Sequence, residues 1–459
     1  MSQMILQQSD REIYTNNSGL VLVGQCIRRS GLSHLLASHV EKEQKQISFK
    51  DILVSYIGLL CLGLSKYHAI SETSDDIFFK SALGIQDIPS EETLRQRFDE
   101  VAKDSDVFPK IIAAILRASV QMLRHLGVNI SGCGREMPDL IPLDIDVTPL
   151  DNSNTKKEGV AYTYKKFVGY TLMVSYLGLE GWCLEAELRP GDQHAQKDFV
   201  KYLERVLKRA RLLTSKPFLV RLDSAHDASE TLLTLSKASN THFIIKWNPR
   251  RNEQQYWLNC ARERGKEEKN HNNGVRSWIL ETEDKRFVGD ESVSCRRIVR
   301  VIEETIDKKG QQLLIPIIHL EGWLTDLDFS AQRIINLYSK HATSEQFHSE
   351  FKSDMRIERL PSGNFKTNSL IMTLAVFAYN ILRVSSQMWI ESNFTETRHP
   401  VMRRRIGTVI QSLINVSCRV IRSCRQIKLR FSCDYSIFKS FNYIYERLCM
   451  SECPMQLCC

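Results

Sequence analysis

Apolar positions in the first 135 residues recur with the period of a helix. After Pro109, five of them fall close to a 3.6-residue repeat: Ile111, Ile112, Ile115, Leu116 and Val120. A second helix is predicted to begin at Ser90, because serine suits the N-cap position and the two glutamates that follow would complement the helix dipole. The pattern therefore predicts that residues 1–135 form a helical N-terminal region.

Between residues 136 and 246 the pattern changes to short apolar runs, which predict strands. The predicted strands cover residues 140–147, 169–177, 182–188, 217–223 and 241–246. Helical periodicity over 193–210 and 228–236 places one helix before the fourth strand and one after it. Three strands followed by helix, strand, helix and strand is a mixed α/β order.

Residues 247–326 interrupt this order. They are polar up to Asn273, and three strand-like pieces follow, at 275–281, 292–302 and 312–319. We interpret this segment as a β-rich insertion into the α/β unit. Residues 327–400 resume that unit with a long helix predicted over 328–355, and residues 401–459 are basic and end in a tail with several cysteines.

Two longer apolar runs, at 52–64 and 370–384, are interrupted by polar residues. Both are shorter than the ~20 residues that a membrane-spanning helix needs. We interpret them as buried core helices and expect no membrane partner.

The composition is that of an ordinary globular protein. Of 459 residues, 42% are hydrophobic and 25% are charged, which excludes a disordered chain, a collagen-like chain and a coiled-coil rod. The net charge of +8 is local, because residues 401–430 carry eight basic side chains and no acidic one. Such a cluster predicts salt-dependent binding of a polyanion, with an ordinary basic helix face as the alternative.

The thirteen cysteines are scattered and odd in number, which suits a reducing compartment better than a disulfide framework. The N-terminal residues lack the pattern of a secretory signal. We therefore expect the protein in the cytoplasm. The tail cysteines are Cys449, Cys453, Cys458 and Cys459, and free thiols explain them better than a metal site does.

Three acids stand out by position. Asp146 lies inside the first predicted strand, Asp223 ends a later strand, and Glu345 lies on the predicted long helix. Buried acids need a partner or a metal, and open α/β sheets place ligands at the carboxyl ends of their strands. Each also has an ordinary explanation, since an Asp after a strand is often a turn residue or N-cap. Asp144 competes with Asp146, because residues i and i+2 share a strand face.

The predicted helix over 328–355 would present Tyr338, His341, Glu345 and Lys352 on one stripe about 60° wide. An acid, a base and two hydrogen-bonding groups on one stripe can face a phosphate backbone and a metal together. Carboxylates that converge from separate elements suit Mg²⁺, and two such ions can assist an in-line displacement at phosphorus.

With these spacings the sequence resembles the DDE transposases of bacterial insertion sequences. The resemblance is to the group whose third acid sits in a Tyr-x2-Arg-x3-Glu-x6-Lys signature, which Tyr338, Glu345 and Lys352 match. His341 takes the position of the arginine, and histidine makes a weaker, pH-dependent phosphate contact than a guanidinium does. The contexts Asp146-Val147-Thr148 and Leu222-Asp223-Ser224 match those of the first two acids, which favours Asp146 over Asp144.

The resemblance implies a ribonuclease-H-like catalytic core, formed by residues 136–246 and 327–400 and interrupted by the insertion. It implies that Asp146, Asp223 and Glu345 hold two Mg²⁺ ions, with Mn²⁺ as a substitute. It also implies double-stranded DNA partners, namely the terminal inverted repeats of the element and the target DNA, bound by a homodimer.

Further residues are candidates for DNA contacts. Tyr338, His341 and Lys352 would position phosphates. Lys246 and Arg250 flank Trp247, which would either stack on an extruded base or pack the insertion onto the core. Arg95 and Arg97 would recognise element ends if the helix at Ser90 belongs to a helix-turn-helix-like unit. The basic segment adds Arg403, Arg404 and Arg405.

The function predicted from these features is that of an insertion-sequence transposase in the bacterial cytoplasm, associated with the nucleoid when bound to DNA. It would cleave element ends and join them to target DNA by in-line phosphoryl transfer. Two alternatives stay open: a metal-dependent nuclease on the same core that does not transfer strands, and an inactive DNA-binding relic of a transposase.

Overall fold

The computed structural model describes residue 9 and residues 11–37, 46–74, 76–250, 254–268, 274–307, 309–394, 401–423 and 426–450. All structural statements below concern these residues.

The N-terminal region is helical, as the sequence predicts. Its elements are β1 (Ile13–Thr15), α1 (Leu20–Arg29), α2 (Leu32–Ala37), α3 (Phe49–Cys61), α4 (Ile77–Leu83), α5 (Glu91–Lys103) and α6 (Val107–His125). Ser90 caps α5, because its hydroxyl accepts a hydrogen bond from the Thr93 N–H at 3.1 Å. Pro109 lies in the first turn of α6, where its missing N–H leaves no helical hydrogen bond unmade.

The α/β unit follows in the predicted order. Its elements are β2 (Ile141–Asp151), β3 (Ala161–Tyr162), β4 (Val168–Leu177), β5 (Trp182–Pro190), α7 (Phe199–Arg211), β6 (Phe218–Leu222), α8 (Ser229–Lys237) and β7 (Thr241–Lys246). Helix α7 begins six residues later than periodicity predicts. The reason is Arg189, whose guanidinium binds the carbonyls of Ala195 and Lys197 at 3.1 and 3.0 Å and holds this segment out of the helix.

The insertion is rich in strands and also contains a helix that the sequence pattern does not predict. Its elements are α9 (Gln254–Arg264), β8 (Lys266–Glu267), β9 (Val275–Val288), β10 (Glu291–Ile306) and β11 (Gln312–Thr325). Helix α9 buries only Trp257, Leu258, Cys260 and Ala261. This narrow apolar face lies within an otherwise polar sequence, which is why the periodicity is weak.

The remaining elements are α10 (Ala331–Ser339), α11 (Thr343–Ser349), α12 (Phe365–Glu391), α13 (Ile406–Val409), β12 (Cys418–Ser423), β13 (Gln426–Phe431) and α14 (Phe438–Met450). They correct two predictions. The single helix expected over 328–355 is broken by a 3-10 turn at Lys340–Ala342 and ends in a π-helical turn at Glu350–Asp354. Both breaks coincide with buried polar contacts, of His341 with Asp144 and of Glu350 with Arg383.

The second correction concerns the basic segment, which is not a helix face throughout. Strands β12 and β13 form a hairpin, and β12 also pairs with β1, so these three strands make a small antiparallel sheet. Val420 and Leu429, which pair across the hairpin, face the core, while Arg419, Lys428 and Arg430 lie on the opposite face.

Ten strands form one mixed sheet, and this confirms the mixed α/β class. Strands β5, β4 and β2 are antiparallel neighbours, β6 and β7 then run parallel to β2, and β11, β10, β9 and β8 continue the sheet from β7. The insertion therefore extends the sheet of the α/β unit. Strand β6 is buried along its whole length, as expected for a parallel strand covered on both faces.

Helix α12 crosses the interior of the protein and packs against β5, α3 and α6. By length and composition it resembles a membrane span, but 94% of its most apolar stretch is buried within the protein. Its Asn380 side chain bonds to both the N–H and the carbonyl of Cys183 on β5. The run at 370–384 is therefore a core helix, as predicted.

Candidate active site

Two neighbouring parallel strands bring Asp146 and Asp223 together. The register of β2 and β6 pairs Asp144 with Arg221 and Ile145 with Leu222, so Asp146 and Asp223 come next on each strand. Side chains at positions i and i+2 point to the same face of a strand. The two acids therefore share a face at the carboxyl end of β6, the edge where α/β sheets place ligands.

Asp146 lies on this face with its side chain 21% exposed. His348 on α11 contacts it, with Nε2 3.1 Å from Oδ2, and the Val147 N–H donates to Oδ1 at 2.7 Å. Burial alone would raise the pKa of Asp146, but the hydrogen bond from His348 and its electrostatic attraction outweigh burial and lower the pKa to about 2. Asp146 is therefore ionised and open to a ligand on its exposed side.

Asp223 follows β6 and accepts a hydrogen bond from the Ala225 N–H at 3.2 Å, so it also serves as a local N-cap. Partial burial, and after it the negative charge of Asp146, raise the pKa of Asp223 to about 6. Beneath it lies His226, which is fully buried and stacked on Phe199 at 3.9 Å between ring centres. Burial lowers the pKa of His226 to about 3, so its ring is neutral.

Asp144, the competing acid, is occupied. Its carboxylate makes two hydrogen bonds of 2.6 Å to Arg221 and one of 2.9 Å to His341, and only 3% of the residue is exposed. An acid bound in this way has no free face for a metal. The placement favours Asp146, in agreement with the motif contexts.

The structure places three of the four stripe residues, Tyr338, His341 and Lys352, near the acids and leaves Glu345 apart from them. Tyr338 is half-buried beside His341, and burial, followed by the charges of Asp223 and Asp146, raises the pKa of the phenol. Lys352 donates to the carbonyl of Pro149 on β2 at 2.6 Å.

Glu345, by contrast, is exposed on α11 and lines an open pocket with Gln346, Ser349 and Arg403. His348, one turn further along the helix, occupies the place beside Asp146.

Trp247 is buried, with 4% exposed, between Trp257 at 5.5 Å and the Arg297 guanidinium at 5.3 Å. Its placement favours the alternative in which it packs the insertion onto the core. Arg250 donates to the carbonyl of Asp227 at 2.9 Å.

Lys246 instead lies over a different aromatic ring, that of Trp323, at 4.2 Å, and over Tyr338 at 5.8 Å. This places the amine beside Tyr338. Burial lowers the pKa of Lys246, although Glu321 opposes that effect.

The three adjacent arginines of the basic segment bind other parts of the protein. Arg403 pairs with Glu350, and Arg405 makes a bidentate ion pair with Asp354. Arg404 lies over the Trp389 ring at 3.9 Å. In the hairpin of β12 and β13, Arg419 pairs with Glu12 at 2.9 Å, whereas Arg422, Lys428 and Arg430 are exposed. Arg425 lies outside the described residues.

The two arginines predicted to recognise DNA ends differ in exposure. Arg95 is exposed and pairs with Glu92 one turn earlier on α5. Arg97 is buried, with its guanidinium 5.9 Å from the Phe49 ring and 3.5 Å from Glu100. Only Arg95 is therefore placed on an outer surface of α5.

The donor set fits a divalent metal in part. Two carboxylates that share a face and repel each other, as the raised pKa of Asp223 shows, form a hard, negatively charged oxygen site of the kind that Mg²⁺ prefers. Over the described part of the chain, however, no group of three or more His, Cys, Asp or Glu side chains is arranged to hold a metal ion. The third predicted acid is thus not in place beside the other two.

Comparison with protein families gives a match over nearly the whole chain. The family described as transposase DDE domain group 1 matches residues 3–453. The chain belongs to this family. No curated protein matches it significantly.

Among solved structures, the piggyBac transposase synaptic complex with hairpin DNA shares 11% identity with this DDE transposase-family protein, at a TM-score of 0.43. The match covers 90% of this chain and 82% of that chain. At this level of similarity the comparison decides neither the fold nor a ligand.

Sequence reasoning missed three polar residues of this DDE transposase-family site, namely Arg221, His348 and His226. Asp144 and Asp146 on one strand, and Arg221 and Asp223 on the next, repeat the same spacing of two, and such a pattern on neighbouring strands indicates a charged face. His348 follows His341 by two helical turns, which is also visible in the sequence. Nothing in the sequence separates His226 from an ordinary core histidine.

We expect replacement of Asp223 by Asn to stabilise the protein at neutral and alkaline pH. The folded carboxyl holds its proton more tightly than the unfolded one, so its ionisation costs stability above its folded pKa of about 6. After discounting for solvent screening, the gain should be about 1 kcal/mol at about pH 8 and should vanish near pH 4. Urea unfolding of both proteins at the two pH values measures it. An equal gain at both values would contradict the electrostatic cause.

Proposed function

We propose that this protein is a DNA transposase that cleaves the ends of an insertion sequence and joins them to target DNA by in-line phosphoryl transfer. The observation that carries the proposal is the placement of Asp146 and Asp223 in successive register on neighbouring strands, within a chain of the DDE transposase family. A face with two carboxylates at the carboxyl end of a strand is where we expect such chemistry.

The layout of the sheet supports a ribonuclease-H-like core. Three antiparallel strands lead into two parallel ones, helices separate the last strands, and the insertion falls between Asp223 and Glu345. The resemblance implies an insertion between the second and third acids, and here the first acid lies on β2 and the second directly follows β6.

The roles proposed for the residues follow from their contacts. Asp146 and Asp223 would hold two Mg²⁺ ions, or Mn²⁺ in their place, which when bound supply Lewis-acid stabilisation of the transferred phosphate. His348 orients Asp146 through its 3.1 Å hydrogen bond. The phenol of Tyr338 stays protonated and donates to a phosphate oxygen, and Lys246 beside it adds positive charge to the same wall of the cleft.

Glu345 is proposed as the third acid. In this structure it lies on the exposed side of α11, a helix of seven residues bounded by a 3-10 turn and a π-helical turn. For Glu345 to enter the cleft, α11 must rotate or shift when DNA binds. The two irregular turns mark where such a movement would be absorbed.

The DNA surface is proposed to include the hairpin of β12 and β13 rather than Arg403, Arg404 and Arg405. Arg419 and Arg430 face each other across the two strands, and Lys428 shares their face. Arg419 also pairs with Glu12 at 2.9 Å, so Lys428 and Arg430 are the cations on this face that we propose to contact a phosphate backbone. Homodimer formation on paired element ends is part of this proposal.

We expect the wild-type protein to cleave duplex DNA carrying the inverted repeats that flank its reading frame, in Mg²⁺ or Mn²⁺ and not in excess chelator. It should also join pre-cut ends to a target plasmid, which gel electrophoresis of the products measures. Cleavage without joining would identify a nuclease instead.

Salt-dependent DNA binding with neither cleavage nor joining would identify an inactive relic. The position of Glu345 and the histidine in the signature are the observations that favour that second candidate.

A further inference from the structure

Three side chains form a buried ionic group next to the predicted catalytic acids. Asp144 and Arg221 are paired in the register of β2 and β6, and only 3% and 2% of these residues are exposed. The guanidinium of Arg221 donates from Nε and Nη2 to the two oxygens of Asp144, at 2.6 Å each. Its Nη1 donates to the carbonyl of Leu337 at 2.9 Å. Asp144 and Arg221 thus form a rigid platform that reaches the end of α10.

His341 binds to this platform. Its Nδ1 lies 2.9 Å from Oδ1 of Asp144. A carboxylate that already accepts a guanidinium fork is ionised and can only accept, so Nδ1 carries a hydrogen and donates it. The orientation of the imidazole ring is therefore fixed by Asp144.

The other ring nitrogen of His341, Nε2, is buried and has no hydrogen-bond partner in the described part of the chain. A buried polar atom without a partner costs free energy and asks for an explanation. An oriented ring with one nitrogen bound to a carboxylate and the other left open is the geometry of a side chain prepared for a ligand.

The open nitrogen belongs to the cleft of the two acids. Asp144 and Asp146 share a strand face, so a ring bound to the first lies beside the second. Consistent with this, the electrostatic influence of His341 lowers the pKa of both Asp146 and Asp223. The Tyr338 ring lies 5.7 Å from the His341 ring and lines the same side of the cleft.

We propose that Asp144 and Arg221 are positioning residues that hold His341 so that its Nε2–H donates to a phosphate oxygen of DNA bound between Asp146 and Asp223. This inference rests on the proposed function. An arginine at this position would offer several donors by itself, whereas a histidine needs a partner that fixes its ring and hydrogen. Asp144 supplies that partner, which explains why a buried acid lies two residues before Asp146.

The carboxylate of Asp144, bound 2.9 Å from Nδ1, favours the charged form of the ring. Burial by itself would lower the pKa of His341, but the attraction of Asp144 outweighs burial and raises it. A protonated Nε2 donates to an anion and cannot coordinate a metal. A phosphate oxygen is therefore favoured over a metal ion, and the test below separates them.

The test is a double-mutant cycle on cleavage of element-end duplex in Mg²⁺. We expect His341→Phe, which keeps a ring and removes both nitrogens, to lower the cleavage rate about 10²-fold, as for the loss of a charge-assisted hydrogen bond made in the transition state. Asp144→Asn should lower it about 10-fold alone and have no further effect in the His341→Phe background. His341→Arg should recover most of the rate.

The matched control is His242→Phe, which removes another His–Asp pair, at 2.8 Å to Asp326, and should leave cleavage unchanged. The second readout is the rise in melting temperature on adding Mn²⁺, which His341→Phe should not alter. Loss of that rise would show that His341 is a metal ligand and would overturn the proposal.

If the losses in cleavage rate from Asp144→Asn and His341→Phe multiply in the double mutant, the two residues act independently. Asp144 would then have only a structural role. If Asp144→Asn does not fold, the contrast between His341→Phe and His341→Arg decides, and equal losses in both overturn the inference. Wild-type protein that cleaves, together with a His341→Phe variant that cleaves equally well, refutes this inference alone. Wild-type protein that does not cleave refutes the proposed function instead.

Discussion

Cleavage of element-end DNA in Mg²⁺ is expected to fall by about 10³-fold or more when Asp146 is replaced by Asn, while DNA affinity stays within about threefold. The loss corresponds to about 4 kcal/mol of transition-state stabilisation, the scale on which a bound metal assists phosphoryl transfer. Asn has nearly the shape of Asp and keeps the oxygen that accepts from the Val147 N–H. The substitution removes the negative charge and replaces the oxygen that faces His348 by an amide group.

The matched control is Asp151→Asn at the end of the same strand. Asp151 lies an odd number of residues from Asp146, on the other strand face, and accepts from the Ser153 N–H at 2.8 Å. This variant should cleave at the wild-type rate. Fluorescence anisotropy with Ca²⁺ in place of Mg²⁺ measures binding without cleavage. Wild-type cleavage by Asp146→Asn would remove Asp146 from the site and return the question to Asp144.

Most of the fold could be predicted from sequence periodicity where one face of an element is clearly apolar. Helix α6 fits this description. The predicted bounds of β6 and β7 lie within one residue of the observed ones, whereas β2 runs four residues beyond its predicted end. The predictions fail where a tertiary contact decides the local structure. Arg189 delays the start of α7 by binding two carbonyls, and no local pattern announces an arginine on β5 as the cause.

The candidate site was predictable for the strands and not for the helix. A strand fixes where its side chains point by alternation alone, so Asp146 and Asp223 could be expected on one face. The stripe of Tyr338, His341, Glu345 and Lys352 assumed a continuous helix, and the 3-10 turn at Lys340–Ala342 changes the angle between the residues before and after it. That turn coincides with the buried bond between His341 and Asp144, 197 residues apart, which a local pattern cannot reveal.

A second buried ionic group holds the end of α11, the helix that carries Glu345, against the protein. Glu350 opens the π-helical turn after α11 and pairs with Arg383 and Arg403. The side chains of Glu350 and Arg383 are 4% and 1% exposed. Arg383 also donates to the Tyr379 hydroxyl at 2.7 Å and to the Arg404 carbonyl at 3.0 Å. The group therefore ties α11 to core helix α12.

Replacement of Glu350 by Ala is expected to lower the free energy of unfolding by about 3–5 kcal/mol, because it leaves the Arg383 charge buried without a counter-ion. The control is Glu391→Ala, which breaks the more exposed pair with Arg447 and should cost about 1 kcal/mol or less. Urea unfolding followed by circular dichroism measures both. Combining Glu350→Ala with Arg383→Met should recover much of the loss, since the unpaired buried charge is then gone. A Glu350→Ala protein as stable as the control would show instead that Tyr379 and the Arg404 carbonyl suffice for Arg383, and that α11 is held by its apolar contacts alone.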